Sequence, residues 1–464
     1  MMVSMQHFDL IVIGSGSGNS LIDERFADKK VALIERSETF GGTCLNVGCI
    51  PTKMFVLPAD HASSTTTAKR LGVDLRYKGA DWRAIRDRIF GRIDPISKGG
   101  LEWREQSDNV TVFHAEASFV DNSTLQVGPE QISADQIVIA TGSRPRPLGI
   151  DIPESVRDRV HTSDTIMRID EFPERVIILG AGYIAAEFAH VFGALGSEVT
   201  IINRSDVVLR GHDTDISQAF ADEISKRVNL RLNQSVHSIE EGPDGDIMLL
   251  TTDRNGVEYL YESDIVLNAT GRIRNSDALN LQAAGVEARD DGQIIVDEQQ
   301  RTVVPHIWAL GDVSSNYLLK QVANAEMRTT AHNILHPDKA IETDNRYVPW
   351  AVFSDPQVAA VGATEQELIS WGTPYVSATQ RYGDVAYGWA MEDEQHFVKL
   401  LAEPNGWHLL GAHIIGPQAS TLIQPLIQAM SFGLPVTKMA RGQYWIHPAL
   451  PEVIENALLG LVHK

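Results

Sequence analysis

Cys44 and Cys49, the two cysteines of this 464-residue chain, lie five positions apart within Gly41-Gly42-Thr43-Cys44-Leu45-Asn46-Val47-Gly48-Cys49-Ile50-Pro51-Thr52-Lys53. Thiols at this spacing could cycle between a dithiol and a disulfide. In a regular helix five residues rise about 7.5 Å, beyond the roughly 7 Å Cα separation that a disulfide tolerates. The pair therefore closes only across a distorted turn, and Gly48 and Pro51 are residues that permit one. The spacing predicts a helix starting near Pro51, which puts Cys49 at its positive end, where a thiolate is stabilised. Lys53 then falls about one turn further on, on the same side. A buried apolar pair is the plainer alternative, but it needs neither the glycine frame nor the lysine. The motif reads as a redox-active dithiol.

Two dinucleotide fingerprints must position this chemistry. Leu10 to Ile13 reads as a buried strand, Gly14-Ser15-Gly16-Ser17-Gly18-Asn19 as a turn into a helix, and Val31 to Ile34 as the next strand. Glu35 closes that strand 21 residues after Gly14. Glycines there let a backbone approach a pyrophosphate, and the acid accepts from ribose hydroxyls. Asn19 stands at the third glycine position, a departure expected to loosen the helix–strand packing slightly.

The unit recurs at Val176-Ile177-Ile178-Leu179-Gly180-Ala181-Gly182-Tyr183, with Val199 to Ile202 as its second strand. Asn203 and Arg204 replace the acid at the strand end, and Arg210 follows six residues after Arg204. A carboxylate here would repel a 2′-phosphate, whereas two guanidiniums can clamp one. Two solvated surface arginines are the alternative. The first site is expected to hold a dinucleotide, and the second one that carries a 2′-phosphate.

Bulk composition bounds the setting. The length suggests two to four domains, and 43% hydrophobic with 22% charged residues is ordinary for a globular enzyme. A net charge of −21 argues against nucleic-acid or anionic-membrane partners. No apolar run approaches the ~20 residues that span a bilayer, and the N-terminus lacks the pattern of a signal peptide. Two cysteines cannot form an extracellular framework, so a cytoplasmic address is expected. No metal site is expected.

The dithiol motif resembles that of the pyridine nucleotide–disulfide oxidoreductases, flavoproteins that include glutathione reductase and lipoamide dehydrogenase. Further markers recur in the family's order. Strands at Ile137 to Ala140 and Ile265 to Ala269 run into Thr141-Gly142 and Thr270-Gly271-Arg272, and His306 to Leu310 leads to Gly311-Asp312. The resemblance implies an α/β protein with two Rossmann-like dinucleotide-binding domains, for FAD and NADPH, plus a C-terminal α+β dimerisation domain. It makes Thr43, Thr141, Gly142, Gly271 and Asp312 cofactor-side residues, with Asp312 near the ribityl chain. Arginines spaced like Arg204 and Arg210 occur in the NADPH-dependent glutathione reductases, while lipoamide dehydrogenases carry an acid there.

Tyr183 and Glu187 fall at i and i+4 on one helix face. By resemblance, Tyr183 covers the nicotinamide pocket and Glu187 pairs with Lys53 beside the flavin. Hydride from NADPH then reaches FAD, which opens Cys44–Cys49. Cys49 stays against the flavin as a thiolate, while Cys44, further out, attacks the substrate disulfide. A group that protonates the leaving thiolate is required. His447 in His447-Pro448-Ala449-Leu450-Pro451-Glu452 matches the family's C-terminal signature. There the histidine, oriented by the glutamate, serves the partner subunit of a homodimer.

Boundaries follow the motifs: FAD-binding residues 1–150 and 273–344, NADPH-binding residues 151–272, and an interface domain 345–464. Strands are expected at Ala351 to Phe353, Phe397 to Leu400 and Leu409 to His413, and an apolar helix at Ile423 to Met430. Glutathione reductases pair glutathione's carboxylate with a first-helix arginine; counted without gaps from Gly14, that position is Glu24, which would repel it. Tyr387-Gly-Trp-Ala-Met-Glu-Asp393 and Arg441-Gly-Gln-Tyr-Trp-Ile-His-Pro448, with the two N-terminal motifs, resemble the mycothione-reducing branch of the family. That implies a low-molecular-weight disulfide, mycothione, as substrate, with Glu24 free to meet sugar hydroxyls. The alternatives are lipoamide, disfavoured by Arg204, and another low-molecular-weight disulfide.

Overall fold

The structure, a computed structural model, describes residues 5–404 and 407–462. The chain divides into two compact units. One holds the residues up to Pro51 with Arg86–Arg146 and Gly271–Asn345; the other holds Thr52–Ile85, Pro147–Thr270 and the chain from Arg346 onward.

The first unit is built on strand Gln6–Ile13. Its residues Leu10 to Ile13 are all buried, as expected of a central parallel strand covered on both faces. Successive side chains enter different cores, because they point to opposite faces of the sheet. Ile11 and Ile13 pack with Ala32, Ile34, Ile137 and Ile139, and Leu10 and Val12 with Val31, Leu33 and Val138. The sheet runs Val110–His114, Val31–Glu35, Gln6–Ile13, Glu130–Ile139, Thr124–Val127, Ala117–Phe119, with Ile307–Ala309 also paired to Glu130–Ile139. Parallel register puts Ile13 beside Ile34 and Ile139, and Ala309 beside Ile139. Gly14, Glu35, Thr141 and Asp312 therefore emerge along one sheet edge.

The helix expected after the first fingerprint does not form. Asn19–Leu21 and Glu24–Phe26 are single turns of 3-10 helix before strand Val31–Glu35. Asp23 stands between them and accepts from the Arg25 N–H at 3.0 Å, a local bond that competes with helix continuation. Nor does Asn19 loosen the packing. Gly18 takes over the close approach: a Cβ there would lie 2.7 Å from the Ala140 side chain and 2.9 Å from Val12. Glu24 is exposed on the second turn, so the gap-free count that equated it with a first-helix position does not transfer.

In the second unit a parallel sheet runs Asn229–Leu232, Glu198–Asn203, Arg175–Leu179, Ile265–Asn268, Val160–Thr162. Here the fingerprint opens into a full helix, Tyr183–Leu195. An antiparallel sheet follows in the order Trp350–Val352, Val358–Gly362, Leu409–Ile415, Phe397–Ala402, Val376–Arg381. Helix Pro451–Val462 sends Val453, Ile454, Ala457, Leu458 and Leu461 into the same core as Val398, Leu400 and Ala412, the stripe of a half-buried helix. The expected apolar helix is Gln424–Ser431.

Two long helices, Cys49–Arg70 and Trp82–Glu105, carry Pro58 and Pro95 in their interiors. Internal proline masks a helical pattern in sequence. In the second unit Trp82 stacks on Phe55 and Phe192, with ring centroids 4.9 and 5.6 Å away. Among the described residues no helix is long and apolar enough to cross a membrane.

Candidate active site

Cys44 lies in the short helix Gly42–Asn46, and Cys49 opens helix Cys49–Arg70, two residues before the expected start. The distortion that the spacing demanded is a break at Val47 and Gly48. Gly48 presses on the previous turn, where a Cβ would sit 2.9 Å from the Thr43 carbonyl oxygen. Buried Asn46 fixes that turn by donating to the carbonyls of Phe40 and Gly42 at 2.9 and 3.1 Å.

Both cysteines are thiols; Cys49 is exposed and Cys44 half-buried. Hydrogen bonding from the Cys49 thiol draws the Cys44 pKa down to about 7 against the opposing effect of burial, helped by the Lys320 charge and the Cys49 and Ile50 backbone N–H groups. The helix N-terminus thus acts across the break on Cys44, because its free N–H groups point there.

Lys53 and Glu187 do not form a direct ion pair. The Lys53 ammonium lies 4.3 Å from the centroid of the Phe353 ring, and the Phe353 N–H donates to Glu187 Oε1 at 3.0 Å. Burial raises the Glu187 pKa to about 7, with the Phe353 hydrogen bond and the Lys53 charge opposing. Phe353 therefore mediates between the two groups, a role that no motif in the sequence announced. Tyr183 begins the same helix as Glu187 and is 42% exposed.

His447 Nδ1 and Glu452 Oε1 lie 2.6 Å apart. Glu452 belongs to the first turn of helix Pro451–Val462 and also accepts from the Ala449 N–H at 3.3 Å. The bond through Nδ1 leaves Nε2 as the ring atom available for proton transfer.

The first fingerprint suits a pyrophosphate-bearing dinucleotide. Gly16 and Gly42 face each other, and a Cβ on Gly42 would fall 2.7 Å from the Gly16 Cα. Ser15 donates to Glu35 Oε2 through both N–H and Oγ, at 2.9 and 2.7 Å, holding the strand-end carboxylate in place. Lys320 donates to Ser17 Oγ at 2.7 Å, bringing a cation to the glycine turn. Thr141 and Gly142 are stapled to Asn275 by bonds of 2.7 to 3.0 Å. Ser143 Oγ donates to Asp312 at 2.5 Å and receives Arg272 Nε at 2.8 Å. The Gly271 carbonyl accepts from the Arg146 N–H at 2.9 Å. Lys320 and Ser143 were outside the sequence motifs; only the fold brings them here.

In the second fingerprint a Cβ on Gly182 would meet nothing within 4 Å, so the turn is open to a ligand. Arg204 and Arg210 are both exposed beyond strand Glu198–Asn203. The Leu209 N–H donates to the Ala181 carbonyl at 2.8 Å, tying the arginine loop to the glycine turn. Asp213, two residues past Gly211, receives buried Lys399 at 2.9 Å; Asp215 and Glu365 each receive it at 2.6 Å. Among the described residues no cluster of His, Cys, Asp and Glu is placed to hold a metal ion.

Comparison with known proteins gives the family. Residues 8–329 match the family model of pyridine nucleotide-disulphide oxidoreductases, and residues 348–458 match the dimerisation domain of that family. The chain is 49% identical to mycothione reductase of Mycobacterium tuberculosis, covering 98% of this chain and 100% of the relative. It is 32% identical to dihydrolipoyl dehydrogenase of Haloferax volcanii, covering 98% and 97% respectively. Among solved structures, the HOCl-induced flavoprotein disulfide reductase RclA from Escherichia coli superposes with a TM-score of 0.84 at 26% identity, covering 97% of this chain and 99% of that one. The chain belongs to the pyridine nucleotide-disulphide oxidoreductase family.

Proposed function

We propose that this protein is an NADPH-dependent flavoprotein disulfide reductase that converts mycothione to mycothiol through Cys44 and Cys49. The observation that carries the chemistry is the pair of thiols Cys44 and Cys49 brought together across the break between helices Gly42–Asn46 and Cys49–Arg70, with the Cys44 pKa drawn down to about 7 by its partner thiol and the adjoining helix start. Full-length identity of 49% to a mycothione reductase supports the substrate.

Gly14, Gly16, Gly18, Glu35, Thr43, Thr141, Gly142, Gly271 and Asp312 would hold FAD, and Gly180, Gly182, Arg204 and Arg210 would hold NADPH; together the two cofactors would supply the two electrons that open the Cys44–Cys49 disulfide. Tyr183 is assigned to the nicotinamide, and Lys53 and Glu187 to the flavin. The rest of the reaction belongs to sulfur. Cys44 thiolate attacks one sulfur of the substrate disulfide, forming a mixed disulfide and displacing one thiol. His447, held by Glu452, gives that leaving thiolate its proton. Cys49, once deprotonated, attacks Cys44 Sγ, releasing the second thiol and restoring the protein disulfide. The substrate gains two electrons, and the protein dithiol loses two.

His447 and Glu452 are assigned to the partner's site in a homodimer. His447 is 69% exposed, beside fully exposed Tyr444 and 74% exposed Ile446, and this segment lies in the match to the dimerisation domain. Steady-state turnover of mycothione, glutathione disulfide and lipoamide, each with NADPH and NADH, tests the reading. Mycothione with NADPH should give the highest kcat/KM; lipoamide with NADH ahead of it would overturn the assignment.

A further inference from the structure

The two fingerprints end in different ways. The second opens into the 13-residue helix Tyr183–Leu195, the first into the three-residue turn Asn19–Leu21. A helix presents a positive N-terminus because its carbonyl end is carried several turns away. In a single 3-10 turn the carbonyls sit close behind the N–H groups and cancel much of that field.

Arg104 occupies the position behind this turn. Its Nε donates to Asn19 Oδ1 at 2.6 Å, and its Nη2 donates to the carbonyls of Asn19 and Ile22, each at 2.7 Å. The side chain comes from helix Trp82–Glu105, and the residue is 4% exposed. Arginine is seldom so buried without a carboxylate. Among the described residues its hydrogen-bond partners are neutral oxygens, while nearby Asp23 is bonded to Arg25. Asp23 lends its charge from nearby without a hydrogen bond, and the three bonds of Arg104 all go to oxygens of the turn and of Ile22 just after it. Asn19, the departure from the third glycine, supplies one of the three acceptors.

We infer that Arg104 is a positioning residue for the FAD pyrophosphate, neutralising the carbonyl end of turn Asn19–Leu21 so that its N–H end remains positive. It performs for the first fingerprint what a full helix performs for the second. The inference rests on FAD occupying that fingerprint, as proposed above.

Purified holoenzyme would be titrated with urea while released flavin is followed by its fluorescence and unfolding by far-UV circular dichroism. In Arg104→Met, FAD should leave well before the fold is lost, with an affinity roughly ten- to a hundredfold weaker than wild type. Arg104→Lys, which keeps the charge, should fall between them. A purely structural arginine would move release and unfolding together, and that result in both variants would overturn the inference. If Arg104→Met does not accumulate as folded protein, Arg104→Lys carries the same comparison. Wild-type protein without FAD would instead overturn the cofactor assignment itself.

Discussion

Glu452 holds His447 by its Nδ1 at 2.6 Å, with the carboxylate anchored in the last helix and the imidazole 69% exposed. The rigid partner is the acid and the presented group is the base. Such an arrangement fixes the tautomer and ring orientation while leaving Nε2 free for a substrate thiolate.

Replacing Glu452 with Gln should therefore lower kcat by roughly ten- to a hundredfold with little change in KM for NADPH. Mixed Cys44→Ser and His447→Ala subunits, each inactive alone, should regain partial activity after exchange. Proven exchange without recovery would show that His447 serves its own chain.

Cys44 should titrate near neutrality. In enzyme reduced by NADPH, its alkylation by iodoacetamide should rise with pH around an apparent value near 7, because the thiolate is the reactive form. Lys320→Met removes a positive charge that favours the thiolate and should raise that value by about half a unit or more. An inflection at the ordinary thiol value of about 8.5 in both proteins would show that neither the helix start nor Lys320 tunes this sulfur.

Glu187 makes stability depend on pH with an unusual sign. Its pKa is raised from 4.5 to about 7, so between these values the folded state keeps a proton that the unfolded state has released. Stability should then fall as pH rises through that window and level off above it. Solvent contact tempers the size to roughly 2 kcal/mol. Urea midpoints at about pH 5 and 8 should differ more in wild type than in Glu187→Gln; equal differences would exclude this carboxyl as the source.

The NADPH preference should reside in the loop beyond strand Glu198–Asn203. Apolar replacement of both Arg204 and Arg210 should weaken NADPH by roughly two to four orders of magnitude and leave NADH nearly unchanged. Equal losses for the two nucleotides, measured by flavin reduction kinetics, would remove the clamp assignment.

Lys399 is the cation whose loss should cost most. It is 4% exposed and bonded to Asp213, which is fully buried, and to Asp215 and Glu365. Lys399→Met strands a buried carboxylate and should destabilise the protein by about 3–5 kcal/mol. Asp215→Asn, at a 60% exposed group, should cost under about 1 kcal/mol. Comparable urea midpoints for the two variants would contradict the ranking.

Local chemistry was legible wherever it is carried by neighbouring residues. The Cys44–Cys49 pair and the two strand–glycine–strand units lie within short stretches, so spacing pointed to which groups can meet, while the His447–Glu452 pair was legible through its resemblance to the family's C-terminal signature. Tertiary structure decided the rest, because long-range contacts leave no periodic trace in a chain. It placed Phe353 between Lys53 and Glu187, brought the Lys320 charge to bear on Cys44 and replaced the first helix with two turns backed by Arg104. It also turned the free N–H groups at the start of helix Cys49–Arg70 across a backbone break toward Cys44, a geometry that spacing does not describe.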